Sequence, residues 1–289
     1  MVVWNLIFSA ILLPLVAIAL LARRPRRPRA GWLATLVLSG GIVGFSVFVV
    51  PWGNLGVPLR YGVGTLFLVA VVVSLRRNAE APADESPVRH ILKVLIGLFF
   101  GGVAFAAIEA RIAPAGTLDV GVPLAAGTYL VAHGGSTPAA NIHAADPAQQ
   151  YGVDFVKLNA LGFRARGIYP ADPHHYFMFD ANVVSPCDAT VLAASDGVRD
   201  TPDPKRGLGN TIRLRCDHSD ADVILGHLRR GSIVVRANTR VARGAALAHA
   251  GDSGETPEPQ LHVHAERNGA AVPLTFGGRW LVRNDVVRR

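Results

Sequence analysis

Residues 251–266 read GDSGETPEPQLHVHAE. A Gly/Pro-rich turn leads into a short alternating segment. In a strand, Leu261, Val263 and Ala265 face a core, while Gln260, His262 and His264 share the opposite face. Neutral imidazole is both a good zinc ligand and a base near neutral pH. Two histidines spaced i,i+2 and converging on one point therefore make a metal-binding or proton-transfer pair. The same pair also suits the outer face of an edge strand, so partners elsewhere in the chain have to decide.

Around this stretch, the chain from Asp119 to the C-terminus is rich in glycine and proline, with short Val/Ile/Leu runs and no long 3.6-residue period. The alternation predicts strands at 128–132, 153–158, 175–179, 189–194, 210–216, 222–227, 232–235 and 260–266, separated by turns such as 204–209 and 251–259. The expectation is a mainly antiparallel β domain over 119–289.

The preceding part is different. Half of the 289 residues are apolar and 17% are charged, a balance that points to a membrane component. Apolar stretches at 4–21, 32–50, 58–75 and 91–112 are each long enough to approach a hydrocarbon layer of roughly 30 Å. The expected architecture is a four-helix transmembrane region over 1–113, in contact with membrane lipid, followed by the β domain. The third stretch is the weakest span, with Arg60 expected at its outer end. The first lacks the basic n-region and cleavage site of a signal peptide.

Arg23, Arg24, Arg26, Arg27 and Arg29 follow the first stretch, and Arg76, Arg77 and Arg89 follow the third; the middle loop carries only Arg60. The positive-inside rule then puts both basic loops in the cytoplasm and the C-terminal domain outside it, in a multi-pass protein of the cell membrane. Before Asp119 there are 11 Lys/Arg against 4 Asp/Glu; from Asp119 onward there are 18 against 17. A β domain so nearly neutral argues against nucleic acid as a partner. In an oxidising compartment Cys187 and Cys216, the two cysteines of the chain, can form a disulfide; two buried free thiols is the other reading.

Three further elements join the histidine pair. Asp154 lies inside the apolar run VDF, an expensive place for a carboxylate unless it is paired or binds a metal. His227 ends the run VILGHL, and His143 lies in NIHAADPAQQYGVDF. In this order and spacing, these stretches resemble the zinc metallopeptidases of family M23, the lysostaphin and LytM-type endopeptidases. The resemblance runs from about Gly121 to Glu266.

The resemblance implies a β domain of that type. Asp154 matches the ligand aspartate, His227 the catalytic histidine of the Gly-His-Leu strand, and His262 the zinc-binding histidine of a His-Leu-His segment. Two positions depart from the pattern: Gln260 stands where the catalytic first histidine is expected, and Gln150 stands four residues before Asp154, where the first zinc ligand is expected. His143 is the candidate replacement ligand, supported by an Asn-x-His element at Asn141 and His143 before Tyr151 and Asp154. His264 is extra, and either His262 or His264 completes the metal set. His133 in HGGS and the His174/His175 pair read as groove residues rather than ligands, and His218 and His249 as turn and surface residues.

The implied metal set is thus His143, Asp154, His262 and His264, holding Zn2+ with a coordination position left open; the implied catalytic set is His227, His262 and His264. The implied activity is hydrolysis of peptide bonds in peptidoglycan cross-links. Because glutamine is neither a base at neutral pH nor a good zinc ligand, the alternative is a catalytically degenerate domain that binds the cell wall or regulates a partner cell-wall hydrolase.

Overall fold

The computed structural model describes residues 2–23, 29–76 and 86–289. Contacts divide the chain into two units, Met1–Ile108 and Glu109–Arg289.

The first unit is built from four helices long and apolar enough to cross a membrane: Val2–Ala22, Arg29–Val49, Val57–Leu75 and Pro87–Glu109. The first contains a π-helical turn at Phe8–Leu12 just before Pro14, whose ring nitrogen has no hydrogen to donate back into the preceding turn. The second and fourth helices meet backbone to backbone: a Cβ on Gly41 would lie 2.0 Å from the Gly97 carbonyl oxygen. Buried polar groups are satisfied by helix carbonyls, with Ser39 Oγ donating to Ala17 O at 2.8 Å and Ser46 Oγ to Ala10 O at 3.1 Å. Arg60 lies in the first turn of the third helix but is turned inward, its Nε donating to Val47 O at 2.7 Å. Arg24, Arg26, Arg27 and Arg77, which carry much of the expected topology signal, lie outside the described residues.

The second unit carries β1 (Leu118–Val120), β2 (Thr128–His133), β3 (Val153–Leu158), β4 (Asn182–Val184), β5 (Ala189–Ser195), β6 (Asn210–Cys216), β7 (Asp222–Leu228), β8 (Arg240–Val241), β9 (Ala246–His249), β10 (Leu261–Arg267), β11 (Ala270–Val272), β12 (Leu274–Phe276), β13 (Arg279–Trp280) and β14 (Val286–Arg288). The main sheet has the order β14-β2-β3-β10-β7-β6-β5-β8, with β11 also pairing with β10. Its ladders are antiparallel. The parallel β1–β12 pair extends through β13, and β4–β9 forms a two-stranded sheet. Four apolar helices followed by a mostly antiparallel β domain is therefore the architecture.

β10 follows its alternation. Leu261, Val263 and Ala265 point into one core with Val153, Phe155, Ile212, Leu214, Val223 and Leu225, leaving His262 and His264 on the other face. Removing these side chains from water is the main stabilising contribution to the sheet. Two expected strands do not form. At 175–179, Asp172 accepts from the His174 N–H at 2.9 Å and starts a 3-10 turn over Pro173–His175. At 232–235 the chain makes a single sheet-like bond, Val234 N to Leu247 O at 3.0 Å, and no ladder. Cys187 and Cys216 are joined as a disulfide, their Cα atoms 5.8 Å apart, tying the approach to β5 to the end of β6.

Candidate metal centre

Sheet register assembles the site. His262 pairs with Asp154 across β10–β3, and His133 pairs with the same Asp154 across β2–β3. A register shift between Val131 and His133 sets Ala132 out of step and brings His133 opposite Asp154. One side chain from each of three adjacent strands thus falls in a single row. His143 joins from the 3-10 turn Ile142–Ala145.

Asp154 is fully buried and saturated. Its Oδ2 accepts from His133 Nδ1 and His143 Nε2, each at 2.9 Å, and its Oδ1 accepts from His262 Nδ1 at 2.7 Å. Burial opposes ionisation, but the charge of His143 and hydrogen bonds from the three imidazoles outweigh it, holding the Asp154 pKa well below the usual carboxylate range. Burial likewise opposes charge on His143, yet attraction to Asp154 raises its pKa; for His133 and His262 burial wins and their pKa values are lowered.

Two neighbours hold this geometry. Asn141 is buried, with Oδ1 accepting from the His143 N–H at 3.0 Å and Nδ2 within 2.9 Å of Gly135 O and 3.1 Å of both Gln150 O and Gly152 O. It therefore ties the His143 turn to the segments flanking His133 and Asp154. Gly152 leaves room for a ring: a Cβ there would sit 2.7 Å from His262 Cε1. The cluster opens on one side, because the His133 and His143 side chains remain 15% and 17% exposed while Asp154 and His262 are at 0%. A cavity of about 290 Å³ adjoins it, with His143, Gln149, Leu208 and His227 in its wall.

His227 faces His262 at a ring-centroid distance of 6.0 Å. Its backbone has φ +59, a left-handed conformation uncommon for a non-glycine residue and often found at functional sites. Nδ1 donates to Ser253 O at 2.8 Å, which leaves Nε2 of the neutral ring as an acceptor. Burial and the neighbouring His262 push its pKa down to about 4, so the ring is neutral at pH 7. Ser253 is itself fixed: its Oγ accepts from the Asn210 N–H at 3.0 Å and donates to Leu228 O at 2.8 Å. The 251–254 turn thus aims His227 rather than supplying a reacting group.

His264 takes a different place from His262. It pairs with Ile224 of β7, beyond the end of the β3 ladder, and shares a 3.0 Å hydrogen bond through Nδ1 with His262 Nε2. It stands behind His262, and neither of the two is among the three residues whose ligand atoms converge. Gln260 precedes β10 and is buried, with its Oε1 lacking a donor. Gln150 lies before β3 and contributes its backbone carbonyl to Asn141.

One nitrogen each from His133 and His143 and one Asp154 oxygen lie within 4.8 Å of one another. Two imidazoles and a carboxylate are a donor set that suits zinc and similar divalent ions, and His262 Nδ1 borders the same carboxylate. His133, read from sequence as a groove residue, is thus inside the cluster. The signal that would have found it is the pairing of two predicted strands, hidden by the shift at Ala132.

Comparison with known proteins bears on the same elements. Residues 180–273 match Peptidase family M23, a span that contains His227 and His262 and starts after Asp154. No curated protein matches the chain. A zinc-containing peptidase from Vibrio cholerae shares 25% identity at a TM-score of 0.27, covering 42% of this chain and 28% of its own. The catalytic domain of the antimicrobial peptidase lysostaphin from Staphylococcus simulans shares 19% identity at a TM-score of 0.30, covering 43% and 74%. A SpoIIIAH–SpoIIQ complex chain shares 14% at 0.35, covering 53% and 96%. This chain thus spans little more than a quarter of the Vibrio protein. The 251–266 turn, the Gly-His-Leu strand and the histidines of β10 all lie inside the matched residues, so residues 180–273 of this chain are similar to peptidase family M23.

Proposed function

We propose that this protein is a membrane-anchored, zinc-dependent endopeptidase whose β domain works outside the cytoplasm on the peptide cross-links of peptidoglycan. The observation that carries the reading is one buried carboxylate shared by three imidazoles, with the cluster open on the His133 and His143 side. His133, His143, Asp154 and His262 would hold the metal, which when bound lowers the pKa of water and polarises a peptide carbonyl.

The protein's own residues have separable tasks. His227, neutral and held through Nδ1 by Ser253 O, presents Nε2 as a proton acceptor and, once protonated, as a donor to the leaving amine. Were His262 to bind the metal through Nδ1, its hydrogen would sit on Nε2 and go to His264 Nδ1, which would fix the tautomer and ring orientation. The buried wall around Asp154 keeps bulk water from competing for these bonds.

The test uses the full chain in detergent. The expected result is about one zinc per chain and cleavage of cross-linked cell-wall peptides, both lost in His262→Ala while the fold persists by circular dichroism. A folded parent chain that neither binds zinc nor cleaves would sink the reading. A second reading rests on Gln260, whose buried Oε1 finds no donor where a histidine is expected. In that reading the domain binds the cell wall or regulates a hydrolase, and the purified chain binds zinc and cell-wall fragments without cleaving them.

A further inference from the structure

Beside His133 stands an arginine that the site as described does not use. The Arg283 N–H donates to Gly134 O at 3.3 Å, and the following Asn284 N–H to Val131 O at 2.8 Å, so this segment runs along the end of β2 next to the cluster. Among the described residues the Arg283 guanidinium makes no hydrogen bond or ion pair, and its Nε is buried without an acceptor. The residue as a whole is half-buried, so part of it reaches solvent.

The nearby charges do not satisfy it. Glu258 pairs through Oε1 with Arg164 Nη1 at 2.5 Å, both side chains 5% exposed, while its Oε2 is buried without a donor and makes no bond to Arg283; Arg164 also lies over the Tyr169 ring at 5.2 Å. Asp154 is committed to the three imidazoles. Burial and the charge of Arg164 push the Arg283 pKa down to about 10, against the pull of Tyr169, Asp154 and Glu258, so it stays a cation at neutral pH. With Arg164 and Glu258 cancelling, and the Asp154 charge met by its imidazoles and by any ion they would hold, Arg283 adds an uncompensated positive charge next to His133. A desolvated guanidinium is costly until an anion meets it, and its planar fork matches a carboxylate.

We propose that Arg283 is the carboxylate-binding residue of the cleft, so that preferred peptides carry a carboxylate, from a free C-terminus or an acidic side chain, close to the bond presented to His133 and His143. The alignment with a scissile bond rests on the peptidase reading; the binding does not.

The test uses the zinc-loaded full chain in detergent and four probes: acetyl-Ala-Gly-Gly-Ala as free acid, the same peptide as C-terminal amide, and that amide with glutamate or glutamine at its second position. Binding is measured by calorimetry, and hydrolysis separately. At least one carboxylate peptide should bind about tenfold more tightly than its neutral counterpart. Arg283→Gln should remove that difference, and Arg283→Lys, which keeps the charge but not the fork, should retain part of it. Where cleavage occurs, the change should fall in KM with kcat within about twofold.

Preference for the free acid alone identifies the C-terminus as the source, and preference for the glutamate peptide alone identifies the side chain. Equal binding of acid and neutral peptides by the parent chain overturns the proposal, as does equal weakening of both by Arg283→Gln. If Arg283→Gln does not fold, the parent and the Lys variant decide, and an unchanged preference in the Lys variant also counts against the fork. A binding preference with no cleavage of any probe sinks the peptidase reading and leaves the carboxylate site standing.

Discussion

Asp154 is the residue on which the others depend, because both of its oxygens are occupied and neither is exposed. The contribution of His133 is the point at which sequence and structure part most clearly. His133→Ala should lower zinc affinity by at least about tenfold in a chelator competition while leaving the sheet intact; unchanged affinity would return it to the groove wall. Asp154 was legible as an ionised side chain in an apolar run, and His262 as a histidine on the polar parity of a strand. His133 was not, because the one-residue shift at Ala132 is invisible in alternation alone.

The neutral state of His227 has a consequence for stability. An unfolded histidine takes up its proton near pH 6.5, whereas this one does so only near 4, so between these values the unfolded chain binds more protons. The stabilising contribution is full above about 6.5 and is lost as pH falls toward 4, amounting to about 3 kcal/mol. Melting of the metal-free protein should therefore weaken over that window, and His227→Gln should flatten the decline. Parallel pH profiles for the two proteins would contradict it.

At the level of elements, β10 does two jobs by parity: Leu261, Val263 and Ala265 anchor it in the core, which fixes where His262 and His264 stand. The i,i+2 spacing shows that two histidines share a face but does not say which faces β3. The ladder ends at Val263 and leaves His264 opposite β7. Gly152 is the complementary element on the β3 side. Gly152→Ala would bring a methyl group within 2.7 Å of His262 Cε1 and 3.0 Å of Gln149 O. Such overpacking costs about 1–3 kcal/mol, and zinc affinity should fall with the displaced ring. A variant with the parent's melting temperature and zinc affinity would show that the turn can give way.

For the whole molecule, composition separated an apolar helical unit from a β unit because hydrophobic runs and alternation are strong signals. The failed strands at 175–179 and 232–235 mark its limit, since an Asp-capped turn and an unpaired extended segment share their composition with true strands. The disulfide offers a test of sidedness. Cys187 and Cys216 close a loop with a sequence separation of 29, for which removal costs about 2–4 kcal/mol. In protein taken from its native cells without reductant, both thiols should resist alkylation until reduced. Free thiols there would argue against an extracytoplasmic domain.

The row formed by His133, Asp154 and His262 crosses three adjacent strands at one level. A slip of any one strand by a single residue turns its member of the row to the opposite face. On the proposed metal site the centre would therefore act as a gauge of alignment: only chains with β2, β3 and β10 simultaneously in step would present the full row to an ion. Within a purified population, metal content would sort correctly aligned molecules from misaligned ones that share the same secondary structure.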